Sequence, residues 1–179
     1  VTSIGNYAFS DWAGFTSITL DTACSIGDRA FNSCTNLKKF TVENKDLKLG
    51  NYVLSCCTAL EEVTLPFAGE SFEKAEANKA TNLSSVLFGY YVYNKIYGNG
   101  IPNSLKKITI TGGTIIPDNV FSGFELVEDI VLPNTIVKIC NNAFNGCKSL
   151  TNKDMIPESV TEIGEYAFRN CAGLKDINL

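Results

Sequence analysis

Apolar residues along the chain follow a repeated grammar instead of one sustained helical or strand period. The pairs Ala8-Phe9, Ala30-Phe31, Val120-Phe121, Ala143-Phe144 and Ala167-Phe168 recur in similar settings, and Val53-Leu54 fills the same slot. The steps Phe9–Phe31, Phe31–Leu54, Phe121–Phe144 and Phe144–Phe168 are 22, 23, 23 and 24 residues. From Leu54 to Phe121 is 67 residues, and Leu87-Phe88 divides that interval into 34 and 33. About seven repeats result, the fourth enlarged. A fixed period of this size marks stacked repeats.

Each unit repeats the same further positions. An Ile-Gly step (Ile4-Gly5, Ile26-Gly27, Ile163-Gly164) precedes the pair, with Leu49-Gly50 and Ile139-Cys140 as variants. Three residues after the slot stands Cys34, Cys57, Cys147 or Cys171, replaced by Trp12 and Phe124 in two units. Alternating apolar pairs follow: Ile18 and Leu20, Phe40 and Val42, Val63 and Leu65, Ile108 and Ile110, Ile130 and Leu132, Ile177 and Leu179. Pro66 and Pro133 follow two of these pairs directly, and Pro157 follows the sixth unit's segment. Period-2 alternation over a short β-branched stretch predicts a strand with one face inward, and proline ends it. One unit cannot bury its apolar face alone, whereas stacked copies form a continuous core. The predicted fold is therefore a solenoid, α/β or mainly β, with a parallel sheet on one face and short helical or irregular turns on the other.

The motif I-G-x-x-A-F-x-x-C-x-x-L-x-x-I-x-L-P, nearly letter-perfect from Ser159 to Leu179, resembles the BspA-like leucine-rich repeat family. The resemblance covers nearly the whole chain. It implies a curved right-handed superhelix whose parallel sheet lines the concave face. It also implies secretion or display at the cell surface, and adhesion or host-matrix binding as in some members. Departures are an extra residue around Asn152–Met155, expected to bulge the sixth strand, and Cys140 at a glycine position. Residues 1–179 read as a single repeat domain. Both termini fall inside the repeat, so the chain reads as a fragment of a longer protein. No signal peptide opens it, which carries no information in a fragment.

The enlarged fourth unit, 67–104, contains two insertions of 11 residues around the Phe88 slot. The first predicts a short helix with Ser71 as N-cap and Glu73 in its first turn. The second carries Tyr90, Tyr91, Tyr93 and Tyr97 before Gly98-Asn99-Gly100 and reads as an aromatic hairpin-like loop.

Composition narrows the function classes. Among 179 residues, 45% are hydrophobic and 19% charged, and the net charge of −4 opposes general polyanion binding. There is no histidine, which removes imidazole metal sites, Ser-His-Asp triads and Cys-His dyads. No apolar run approaches the roughly 18 residues of a membrane span. Seven cysteines leave at least one unpaired. Because Trp and Phe replace cysteine in its slot, the slot reads as packing. Reduced core thiols are expected, with a Cys147–Cys171 bridge as the alternative. No metal or cofactor site is read. The sequon Asn82-Leu83-Ser84 matters only in a eukaryotic secretory host.

Two surfaces are candidates for binding a protein or glycan partner. Outward strand positions form rows: Thr19, Thr41, Thr64, Thr109, Val131 and Asn178 in one, and Ser17, Lys39, Glu62, Lys107, Asp129, Asn152 and Asp176 in another. A third row runs Thr16, Lys38, Glu61, Lys106, Glu128, Thr151 and Lys175, and charge alternates between neighbouring units from Lys38 to Glu128. This arrangement is either a salt ladder that only stabilises the sheet or a recognition surface for a mixed-charge partner. The tyrosines of the insertion either contact a partner or pack the loop onto the solenoid. Paired acids Glu61-Glu62 and Glu128-Asp129 sit opposite lysines, with no cleft implied, so the chain reads as non-catalytic. Its expected roles are an extracellular interaction and adhesion module, a structural spacer of a larger surface protein, or, least favoured, an accessory domain of a carbohydrate-active enzyme.

Overall fold

A computed structural model describes residues 1–22, 25–69, 71–89 and 100–178. Along the chain come strands β1 (Ser3–Ile4), β2 (Ser17–Leu20), β3 (Ser25–Ile26), β4 (Lys39–Val42), β5 (Lys48–Leu49) and β6 (Glu62–Leu65). Helices α1 (Phe72–Glu76) and α2 (Leu83–Leu87) follow. Then come β7 (Lys107–Ile110), β8 (Ile115–Ile116), β9 (Asp129–Val131), β10 (Lys138–Ile139) and β11 (Glu162–Ile163). The chain winds as a parallel β-solenoid of about six turns.

The alternating pairs build the main sheet, in the order β2-β4-β6-β7-β9. All its pairings are parallel, and Ile18, Phe40, Val63, Ile108 and Ile130 stand in register. These five side chains form one buried row. The pairing of β6 with β7 skips the whole enlarged unit, so the two insertions leave the sheet's register intact. The Ile-Gly steps, read from sequence only as a motif, form two further parallel sheets, β1-β3-β5 and β8-β10-β11. Glycine follows four of these six strands, with Pro117 after β8 and Cys140 after β10. Turns approach closely there: a Cβ on Gly27 would lie 2.6 Å from the Asn6 backbone nitrogen, and one on Gly164 would lie 2.7 Å from that of Asn141.

Between the sheets, the Ala-Phe slots stack through backbone bonds. Phe9 N–H donates to the Ala30 carbonyl (2.8 Å), Phe31 to Val53 (3.0 Å) and Phe144 to Ala167 (2.8 Å). Leu54 donates to Leu87 (2.7 Å), which places Leu87-Phe88 in the slot read from the sequence. Aromatic rings follow the same column: Phe121–Phe144 at 5.3 Å and Phe144–Phe168 at 5.1 Å, both stacked. Phe31 and Phe144 are buried, whereas Phe168 in the last turn is half-buried and Phe9 in the first is exposed.

Two residues per turn adopt the left-handed backbone conformation. They lie two before the slot (Tyr7, Arg29, Tyr52, Asn119, Asn142, Tyr166) and two after it (Asp11, Ser33, Cys56, Gly123, Gly146, Asn170). Non-glycine residues adopt this region at a cost, least for asparagine and aspartate. The recurring Asn, Asp and Gly at these positions are the sequence trace of a feature the apolar pattern does not reveal.

Two expectations are corrected. Instead of a bulged sixth strand the chain makes a turn, in which Asp154 N–H donates to Asn152 Oδ1 at 3.1 Å, so the extra residue ends the ladder. Ile177 lies outside any strand, and Leu179 lies outside the described residues. The short helix expected in the insertion after Pro66 is present. The expected α1 is capped by Ser71, whose Oγ accepts from Lys74 N–H. In addition α2 is capped by Asn82 and takes the place of a turn segment: Leu83 N–H donates to the Val120 carbonyl at 2.8 Å.

Candidate interaction surface

The register of the main sheet places Ser17, Lys39, Glu62, Lys107 and Asp129 directly in line, with Thr19, Thr41, Thr64, Thr109 and Val131 alongside. The predicted rows are therefore neighbours on one surface from β2 to β9, whereas Lys175, Asp176 and Asn178 lie outside any strand. Lys39 pairs with Glu62 at 3.1 Å and Lys107 with Asp129 at 3.2 Å. In the preceding column Lys38 pairs with Glu61 at 2.9 Å and Lys106 with Glu128 at 3.0 Å. The row ends on Asn152, whose amide donates to Asp129 Oδ1 at 3.0 Å. Most of these charged side chains are about half exposed. Each pair therefore contributes at most about 1 kcal/mol, screened further by salt. Beneath this surface β4, β6 and β7 are each paired on both sides, and β2 and β9 form the edges of the sheet.

Tyr90, Tyr91, Tyr93 and Tyr97 lie outside the described residues. The flanking residues are described. A Cβ on Gly100 (φ 68°) would lie 2.4 Å from the Gly89 carbonyl oxygen, so both ends of the insertion meet. Gly89 also packs under the Tyr52 ring. Arg29 lies between the rings of Tyr7 and Tyr52, at 5.9 and 5.3 Å from their centroids. The sequence reading missed this exterior stack, because its members share only a left-handed backbone position.

The cysteine slot does more than pack. Each slot thiol donates to the carbonyl of the aromatic slot one turn earlier: Cys34 to Phe9 (3.2 Å), Cys57 to Phe31, Cys147 to Phe121 and Cys171 to Phe144 (each 3.1 Å). Burial, the dominant cause, pushes the Cys57 thiol up to about 12 and raises those of Cys34, Cys140, Cys147 and Cys171. All six described cysteines are free thiols, Cys147 and Cys171 among them. Phe124 fills the slot as a buried residue, but Trp12 is 56% exposed, contrary to the packing role expected there. No earlier slot carbonyl within the chain lies beneath it.

A cleft of about 450 Å³ between turns is lined by Asn78, Asp118, Lys138, Asn141 and Glu162 among others. Its acids are held by the fold: Asp118 accepts from Asn141 N–H at 2.8 Å, and Glu162 pairs with Lys138 at 2.6 Å. The sequon asparagine is also engaged. Its amide donates to the Asn119 (2.7 Å) and Ser122 (3.0 Å) carbonyls, and its oxygen accepts from Ser84 N–H. Both amide hydrogens are used, so a glycan at Asn82 is incompatible with this fold.

A family model described as BspA type leucine rich repeat region matches residues 1–101 and 91–179, in 6 copies. The chain belongs to this family. Similar solved structures include a leucine-rich repeat protein from Eubacterium ventriosum, with 20% identity and a TM-score of 0.58 over 98% of this chain. A leucine rich repeat protein from T. pallidum aligns at 20% identity and a TM-score of 0.50, also over 98% of this chain. A leucine rich cell surface protein from Faecalibacterium prausnitzii aligns at 24% identity, with a TM-score of 0.49 over 99% of this chain. The chain spans 42% of the Faecalibacterium protein, 44% of the Eubacterium protein and 72% of the T. pallidum protein. No functionally curated protein matches it.

Proposed function

We propose that this BspA-type domain, residues 1–179, is a non-catalytic interaction module of a protein displayed at or outside the cell surface, and that its strand face makes the contact. The observation that carries this reading is the in-register display of Lys39, Thr41, Glu62, Thr64, Lys107, Thr109 and Asp129 on a rigid parallel sheet. Side chains already held at fixed spacing lose little freedom on binding, which favours recognition of a partner over a merely structural ladder. Mixed charge with little net sign suits a protein partner, such as a matrix or cell-surface protein, better than a polyanion. The tyrosines of the 90–97 insertion are a second contact candidate, since insertions into a repeat array often serve binding, and they extend the reading to glycans. The engagement of Asp118 and Glu162 in structural contacts supports the non-catalytic reading.

The test is to assay the chain against matrix proteins and a glycan array, beside a variant with Tyr90, Tyr91, Tyr93 and Tyr97 changed to Ala. Equal binding by the variant eliminates the insertion as the contact, and binding lost in the variant assigns it to the insertion. Binding by neither puts the spacer reading ahead.

A further inference from the structure

The charges on the strand face have an order that a list of ion pairs conceals. Along the solenoid axis the two columns read Thr16-Ser17, Lys38-Lys39, Glu61-Glu62, Lys106-Lys107, Glu128-Asp129 and Thr151-Asn152. Registered pairings from β2 to β9 place the first five stripes in sequence, and the Asn152 amide on Asp129 adds the sixth. The signs are neutral, plus, minus, plus, minus, neutral. Reversing the order inverts every charged stripe and leaves the neutral ends neutral. The centre of this inversion lies between β6 and β7.

We infer that this face pairs with the same face of a second copy of the chain, related by a two-fold axis that runs along the strands between β6 and β7. The inference rests on the strand face being a contact surface. A rotation about that axis turns one sheet over onto the other and reverses the solenoid direction. Strand direction and column order are preserved. Lys38-Lys39 then faces Glu128-Asp129 of the partner subunit, and Glu61-Glu62 faces the partner subunit's Lys106-Lys107, each twice by symmetry. Such an isologous contact closes on itself. A two-fold axis along the solenoid direction would instead set each stripe against its own sign, so the charges select one dimer over the other.

Existing ion pairs within a chain do not oppose this contact. An ammonium has three donors and a carboxylate about four acceptor positions, so each group has capacity beyond its neighbour along the ladder. The stacked faces would form a checkerboard in which every charge has opposite signs beside it and across from it. The threonine row offers a low, uncharged strip, with Thr64 opposite the partner subunit's Thr109. Six turns at about 4.8 Å and four residues at about 3.3 Å give on the order of 350 Å² of strand face. That is less than half of the ~800 Å² per partner of a standard stable interface. The dimer is accordingly weak, concentration-dependent and sensitive to salt.

Sedimentation equilibrium on the whole chain at about 0.1–1 mM tests this, in low salt and in about 0.5 M NaCl. The wild-type chain should dimerise in low salt and dissociate in high salt. The variants Lys38→Glu/Lys39→Glu and Glu128→Lys/Asp129→Lys should each be at least tenfold weaker alone, because like stripes then face each other. Mixed together they should form a heterodimer of wild-type strength, because every facing pair is again opposite in sign. Circular dichroism melts confirm that both variants fold, and the mixing arm reports pairing without relying on loss alone. A wild-type chain that stays monomeric, or a mixture that does not pair, overturns the inference. A monomeric chain that still binds a panel protein overturns only the self-pairing and leaves the interaction-module reading standing.

Discussion

The Cys147 thiol donates to the Phe121 carbonyl one turn earlier, at 3.1 Å, and the same bond recurs from Cys34, Cys57 and Cys171. Cysteine thus fills the slot and gives a second donor to a carbonyl that also accepts a backbone N–H. Folding keeps these thiols protonated, so their raised pKa values are a stability term with a definite sign. The unfolded chain ionises above pH 9, near the ordinary value of 9.0, while Cys57 holds its proton to about 12. Stability is fully present below pH 9 and should fall between pH 9 and 12, by about 1.4 kcal/mol per pH unit for each fully protected thiol. Urea melts across that range check this. In native protein at pH 8, a maleimide should label exposed Cys56 and spare Cys34 and Cys57. Rapid labelling of Cys34 would remove the buried-slot assignment.

Truncating the aromatic column should cost according to burial. Phe144 is fully buried between Phe121 and Phe168, so Phe144→Ala should lose about 3–5 kcal/mol in urea unfolding. Phe168 is half-buried in the last turn, and Phe168→Ala should lose roughly half as much or less. Equal losses at the two sites would contradict a column that ends at an exposed turn.

Cys56 sits at φ 60°, in the position that Gly123 and Gly146 fill in later turns. Replacing it by glycine relieves a left-handed side chain and removes an exposed thiol. Cys56→Gly should leave stability unchanged or raise it by up to about 1 kcal/mol, read as the urea midpoint. A loss above 1 kcal/mol would mean the thiol has a role beyond its backbone position.

Asn82 supports prediction by an isosteric change. In Asn82→Asp the acceptor for Ser84 N–H survives, but the two donors to Asn119 and Ser122 become an anion facing two carbonyls. The variant should lose about 2–3 kcal/mol near pH 7 and recover part of it at low pH as the carboxyl protonates.

The parts of this architecture that were legible in the sequence are those written in apolar spacing. Phe40, Val63, Ile108 and Ile130 announce the main sheet because burial of one strand face demands period two, and the charged rows follow from the same register. Leu87-Phe88 was readable as a displaced slot by counting alone. The two side sheets were not, because a two-residue strand such as Ser25–Ile26 shows no alternation. The second helix was hidden because Asn82 caps it with an amide that also bonds across to the next turn. The thiol bonds were missed because replacement of cysteine by Trp12 and Phe124 points to size, whereas the donor role appears only when the earlier turn's carbonyl is in place. The sixth strand was over-read: one extra residue turned an alternating segment into a turn at Asn152–Asp154.

The most direct test of the strand face as the binding surface is the affinity of a Lys39→Glu/Lys107→Glu variant for the matrix and cell-surface proteins that bind the wild-type chain. Both lysines are exposed and lie in strands whose buried neighbours are untouched, so the melting temperature should change by only a few degrees. Affinity should fall at least tenfold, and the residual binding should depend less on salt. Unchanged affinity in a folded variant would contradict the assignment of function to this face.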